Sequence, residues 1–173
     1  MGLRSRAFPS LSQLYMKAVL RASGAPLGLS NLIDVFYALV FAYVKVAAET
    51  IFLFIVRCGV LHGCPLSGTL FAAAADPALC HLEATCVGAN GKPRAALRAC
   101  ADDLGAAVED IRVLIDLEGA FATIQRVAHL KLKPKKSWYA PVYELANALT
   151  IFDIKEWLAE FVPAWAAFEV APL

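Results

Sequence analysis

From Asn31 to Val56 the sequence is almost wholly apolar, and three charged residues within it, Asp34, Lys45 and Glu49, decide what that stretch can become. They leave only Val35–Val44 and Thr50–Val56 uncharged. Neither piece reaches the roughly 18 apolar residues that a spanning helix needs. A buried helix followed by a buried strand satisfies the pattern, with a membrane-associated hairpin as the alternative. The question arises because 60% of the chain is hydrophobic and its mean hydropathy is +0.60. At the N-terminus, Arg4 and Arg6 lead into Pro9, Ser10 and Ser12 rather than into an apolar run and a cleavage site. No secretory signal is expected, and the chain is read as intracellular.

A length of 173 residues supports one core and one domain. Ser10 or Ser12 can cap a first helix with Leu14, Tyr15, Ala18, Val19 and Ala22 on one face, ended by Gly24 and Pro26. A second helix is expected from about Ser30 to Tyr43, capped by Ser30 or Asn31. Thr50–Val56, β-branched and aromatic, is expected as a strand. Alanine and leucine favour a helix over Thr69–Glu83, which Pro77 should kink or break. Gly88, Asn90, Gly91 and Pro93 mark a loop, after which Ala95–Ala101 and Leu104–Val108 read as two short strands around Asp102-Asp103. A helix fits that region locally almost as well. Ile111, Leu114, Ile115, Ala122, Ile124 and Val127 suit a long amphipathic helix over Glu109–Leu130. A last helix is expected over Leu145–Phe161, before Pro163.

The net charge of +1 gives no electrostatic reason to expect nucleic acid, although basic residues gather at Lys92, Arg94 and Arg98 and at Lys131, Lys133, Lys135 and Lys136. The acids concentrate between Asp102 and Glu118. Five cysteines, Cys58, Cys64, Cys80, Cys86 and Cys100, are an odd number without a C-x-x-C pair, and they read as buried, reduced thiols. A zinc site from His62, Cys64, Cys80, His81 and Cys86 can be drawn, but its spacings match no short-loop ligand pair at both ends.

Two carboxylates side by side, Asp102 and Asp103 at a hairpin tip, could hold a hard divalent cation that keeps waters and phosphates as its other ligands. A solvated acidic turn is the plainer alternative. The surroundings bear on the choice. Gly59-Val60-Leu61-His62-Gly63-Cys64-Pro65-Leu66-Ser67-Gly68-Thr69-Leu70-Phe71, then Ala99-Cys100-Ala101-Asp102-Asp103-Leu104, then Leu130-Lys131-Leu132-Lys133-Pro134-Lys135-Lys136-Ser137 occur in that order. This set resembles three successive motifs of reverse transcriptases of non-LTR retrotransposons: G-V-x-Q-G-C-P-L-S-P-x-L-F, Y-A-D-D and L-x-L-N-x-x-K-T. Ala7-Phe8-Pro9-Ser10 is similar to the end of the family's first palm motif, and Ile154–Phe168 to a connector found before the primer grip in some retroelements. The resemblance covers about residues 7–168.

The resemblance implies an α+β fold, polymerase palm-like, with a small antiparallel sheet and a catalytic hairpin backed by helices, and with fingers and thumb missing. It implies an ancestral RNA-directed DNA polymerase acting on an RNA template, a DNA primer and dNTPs, with Mg2+ or Mn2+ if active. By the same resemblance Asp102 and Asp103 match the metal-binding pair, and Phe8 matches the aromatic position under the nucleotide sugar. Gly63 falls where the backbone passes close to nucleotide and template, His62 stands in place of a glutamine, and Ser67 matches the motif serine. Lys136 matches the lysine near the leaving pyrophosphate. Each also has a structural reading: Phe8 as a staple for the first helix, Ser67 as an N-cap, Lys136 as part of a solvated turn. Cys100 replaces the usual tyrosine. The first motif's aspartate should lie five residues before Phe8, where Leu3 stands, so the metal site is expected to be incomplete. A non-catalytic nucleic-acid-binding remnant using Lys131–Lys136 is the alternative, and a membrane-associated product without biochemical role is a third.

Overall fold

A computed structural model describes residues 7–61, 63–100, 103–142 and 147–171. The chain mixes α and β structure: among the described residues there are six α-helices and three two-stranded sheets, two of them antiparallel.

A single turn, α1 (Ala7–Ser10), leads into α2 (Gln13–Ala22), whose N-cap Ser12 accepts a hydrogen bond from the Tyr15 amide at 3.2 Å. That cap is as expected, but the buried face is Gln13, Met16 and Leu20, and Leu14 is 80% exposed. Gln13 is drawn inward because its amide donates to the Gly59 carbonyl at 3.1 Å. α3 (Leu27–Phe36) is shorter than the expected second helix and starts earlier. Asp34 binds Lys17 at 3.2 Å and Arg21 at 2.7 Å on α2, and these two cations hold its carboxyl below the usual range.

Residues 40–43, expected as helix, belong instead to β1 (Val40–Val46), which pairs antiparallel with β2 (Glu49–Val56). Val40, Phe41, Tyr43, Val44 and Val46 favour a pleated strand once a partner is available. The pairing slips between Ala42 and Tyr43, leaving Leu53 without a partner on β1. β2 is also not the buried strand its composition suggests: Ile51, Phe52, Leu53 and Phe54 are all exposed.

The centre of the molecule is α4 (Ser67–Thr85) against α2 on one side and α5 (Val113–Ala128) on the other. α4 runs unbroken through Pro77. Proline there costs one backbone hydrogen bond, but its side is exposed while Leu70, Phe71, Ala74, Ala78 and Leu82 form one buried stripe along the whole helix. α5 is shorter than the expected 109–130 helix and is buried through Val113, Leu114, Leu117, Ala120, Phe121, Ile124 and Ala128. Ile115 and Val127, expected inward, are exposed.

Between α4 and α5 lies the antiparallel hairpin β3 (Ala95–Cys100) and β4 (Asp103–Val108), paired from Ala95 with Val108 to Cys100 with Asp103. Leu97 and Leu104 share one face and are buried, and β3 lies against α4. After a 3-10 turn at Pro134–Lys136 come the short β5 (Trp138–Tyr139), α6 (Ala148–Phe161) capped by Asn147, and β6 (Glu169–Val170), which returns parallel to β5.

No helix among the described residues is long and apolar enough to cross a membrane. The cysteines depart from expectation: Cys86 alone is buried, Cys64 is half-buried, and Cys58, Cys80 and Cys100 are exposed, all of them free. Burial, reinforced by the Asp116 carboxylate, pushes the Cys86 thiol up. The folded chain therefore keeps this proton to higher pH than the unfolded chain. Its contribution to stability is complete below the ordinary thiol range and is lost as pH rises through the raised value. With an aromatic disulfide reagent at mild alkaline pH, Cys58, Cys80 and Cys100 should react promptly and Cys86 at least about a hundredfold more slowly. Prompt reaction of all five would contradict this packing.

Candidate active site

The segment Gly59–Leu61, which opens the second motif, is gripped from three directions. On one side residues 8–12 run beside it: Val60 donates to the Phe8 carbonyl at 2.8 Å, Gly59 donates to the Leu11 carbonyl at 2.7 Å, and Ser12 bridges Cys58. On the second side the Tyr37 hydroxyl accepts from the Leu61 amide at 3.2 Å. On the third, the Ser67 hydroxyl donates to the Leu61 carbonyl. Gly59 makes the first grip possible. Its φ is +83°, and a Cβ built on it would sit 2.5 Å from Pro9 Cα. Only glycine allows the two backbones to come this close.

The Phe8 ring stacks on Phe71 of α4, centroids 4.4 Å apart and 13° from parallel. It therefore joins α1 to α4 and not merely to the first helix. Ser67 is the first residue of α4, after the N-cap Leu66, and its hydroxyl is spent on Leu61. The N-cap reading of Ser67 is thus replaced by a tie between the motif's loop and its helix. Gly63 has φ +84° and is exposed, with open space where a Cβ would stand. His62 and Asp102 lie outside the described residues, as does Leu3.

Asp103 is the first residue of β4, opposite Cys100, and its exposed carboxylate makes no hydrogen bond or ion pair among the described residues. Arg94 anchors the hairpin at its base. Arg94 donates to the Cys86 carbonyl through its amide at 2.7 Å, and its guanidinium binds Glu109 and Asp116, each at 3.0 Å. Pairing with Arg94 gives Glu109 and Asp116 a structural post. Arg94 itself was visible in the sequence only as one member of a basic cluster. Nothing local marked it as the hairpin's anchor.

Lys136 ends the Pro134–Lys136 turn and is exposed; among the described residues none of Lys131, Lys133, Lys135 and Lys136 forms an ion pair. Ser137, by contrast, is buried and donates to the Lys133 carbonyl at 3.1 Å, which holds the turn's shape. The structure thus brings Phe8, Gly59–Leu61, Ser67 and Phe71 into one connected group. No hydrogen bond, ion pair or ring contact among the described residues ties Asp103 or Lys136 to that group.

No group of three or more His, Cys, Asp and Glu side chains positioned to hold a metal occurs among the described residues. Asp103 offers carboxylate oxygen, the donor type that magnesium or manganese takes. No family model matches the chain, and no curated protein matches it.

Proposed function

We propose that this chain is a reverse-transcriptase-like palm of the non-LTR retrotransposon kind, ancestrally an RNA-directed DNA polymerase, whose incomplete metal site leaves it unable to polymerise. The observation that carries this reading is the meeting of its first two motifs: Phe8 is hydrogen-bonded to Val60 and stacked on Phe71. Residues far apart in sequence that match neighbouring parts of one nucleotide site are in contact. The placement of the Asp103 hairpin beside α4, the helix that the second motif opens, also supports it.

Asp102 and Asp103 would hold the divalent cation, Mg2+ or Mn2+, which in such sites neutralises phosphate charge during nucleotidyl transfer. Phe8 would lie under the sugar of a dNTP, Gly63 and His62 beside the nucleotide and RNA template, and Lys136 near the leaving phosphates. Two-metal transfer needs carboxylates from two strands. Leu3 stands where the second strand's aspartate is required.

In a primer-extension assay with magnesium or manganese, the folded chain should incorporate no nucleotide above background. Leu3→Asp is the variant in which incorporation should first be seen. Incorporation by the unaltered chain that disappears in Asp102→Asn/Asp103→Asn would overturn the incompleteness and require another carboxylate in the site.

A second reading rests on the exposed lysine turn, whose side chains have no acidic partner among the described residues. Here the chain is a non-catalytic nucleic-acid binder that contacts phosphates through Lys131, Lys135 and Lys136. It requires affinity that falls steeply with salt and is indifferent to Asp102→Asn.

A further inference from the structure

The hairpin β1–β2 plays no part in the site described above, yet it is the most conspicuous surface of the molecule. On one face Phe41, Tyr43 and Phe52 form a ring cluster, with centroids 5.8 to 6.3 Å apart, and are 44%, 56% and 49% exposed. On the other, Val44, Val46, Ile51 and Phe54 are exposed as well. Neither strand packs extensively on another element, and only Ala42 and the root residues Val40, Ile55 and Val56 are partly covered. Among the described residues each strand has a single neighbour, so the outer edges of both carry backbone groups unpaired within that set. A two-stranded ribbon alone is marginal in water, and exposed apolar edges recruit further strands.

Charge says which edge and which occupant. The strand β2 begins with Glu49 and is followed directly by Arg57; both are exposed, and neither forms an ion pair among the described residues. Between them every residue except Thr50 is apolar. The strand is therefore complementary to an antiparallel copy of itself, which sets the Glu49 end of each beside the Arg57 end of the other. A parallel copy would set Glu49 beside Glu49. The edge of β1 lacks this property, since Lys45 near its end has no acid at the other. A bilayer is a poor occupant, because Lys45 and Glu49 near the tip would enter first and the open edges would find no hydrogen-bond partners in lipid.

We propose that two copies of this chain associate through the free edges of β2, antiparallel, forming a four-stranded sheet in the order β1, β2, β2, β1. This inference does not rest on the polymerase reading. In sedimentation velocity the full chain should be dimeric at micromolar concentration. Arg57→Glu and Glu49→Arg, both at exposed positions, should each weaken the dimer by about tenfold. Combining them restores opposite charges at both ends, so the double variant should return to near the original affinity. A chain that stays monomeric with native circular dichroism overturns the proposal, and so does a double variant no better than the singles. Binding to neutral phosphatidylcholine vesicles in place of dimerisation would assign the hairpin to a lipid surface instead.

Discussion

Gly59→Ala should lower the stability of this chain by about 3 kcal/mol, or roughly 10 °C in melting temperature. Two costs combine. The backbone at position 59 has φ +83°, a conformation that a Cβ strains, and the added Cβ would lie 2.5 Å from Pro9 Cα and 2.7 Å from both the carbonyl carbon and oxygen of Pro9. These neighbours are backbone, so no rotamer change makes room. The segments would have to part, giving up the bonds from Val60 to Phe8 and from Gly59 to Leu11. Gly63→Ala is the matched control, because φ there is +84° but nothing lies within 4 Å of the added carbon. It should cost only the conformational strain, about 1 kcal/mol. Urea denaturation of the two variants separates strain from collision. Equal losses would mean that the close approach of residues 8–12 to residues 58–60 does not hold the fold together.

Trp165→Ala should be at least as damaging, at about 3–5 kcal/mol. Trp165 is 3% exposed and is the middle member of an aromatic cluster, edge-on to Phe121 of α5 at 5.6 Å and stacked on Phe168 at 5.3 Å. Its removal empties the ring contact that joins the segment after α6 to α5. β6 has only two residues paired with β5, too few to stay in place unaided. Hydrogen exchange gives a local readout. The amides of Glu169 and Ala171, which donate to Ser137 and Tyr139 at 3.0 and 2.9 Å, should lose protection in the variant while the α4 amides keep theirs. Trp138→Ala, on the other strand of that pair but 49% exposed, should cost less than about 1 kcal/mol. If the two tryptophan variants behave alike, the stack is not what holds the C-terminal segment.

Elements with their own punctuation were legible from sequence: the Ser12 cap, the Gly88–Pro93 loop, the strand pair expected at Ala95–Ala101 and Leu104–Val108 and found as Ala95–Cys100 and Asp103–Val108, and the stop before Pro163. What escaped was set by partners distant in sequence. Val40–Tyr43 fits a helix locally and becomes a strand because β2 is there to pair with it. Leu14 points outward and Gln13 inward because the Gly59 carbonyl offers the amide a partner. Pro77 looked like a break because the buried stripe on both sides of it cannot be weighed from sequence. Of the candidate site, the order of the motifs was readable, but the stacking of Phe8 on Phe71 was not, since no local pattern brings the two together.

Ser12 also sets a schedule. Its amide donates to the Ala128 carbonyl at 2.9 Å, so the α1–α2 junction is completed only when the end of α5 exists. On a ribosome adding about 5–20 residues per second, the start of the chain waits on the order of ten seconds for that acceptor. Residues 40–56 emerge early in this interval and can close their hairpin within microseconds. Until Ala128 is made, the nascent chain therefore presents an apolar ribbon, marginal by itself, ahead of an unfinished core. Neighbouring ribosomes on one message would carry such ribbons side by side, and slower translation of the stretch leading to Ala128 would lengthen the time in which they can meet.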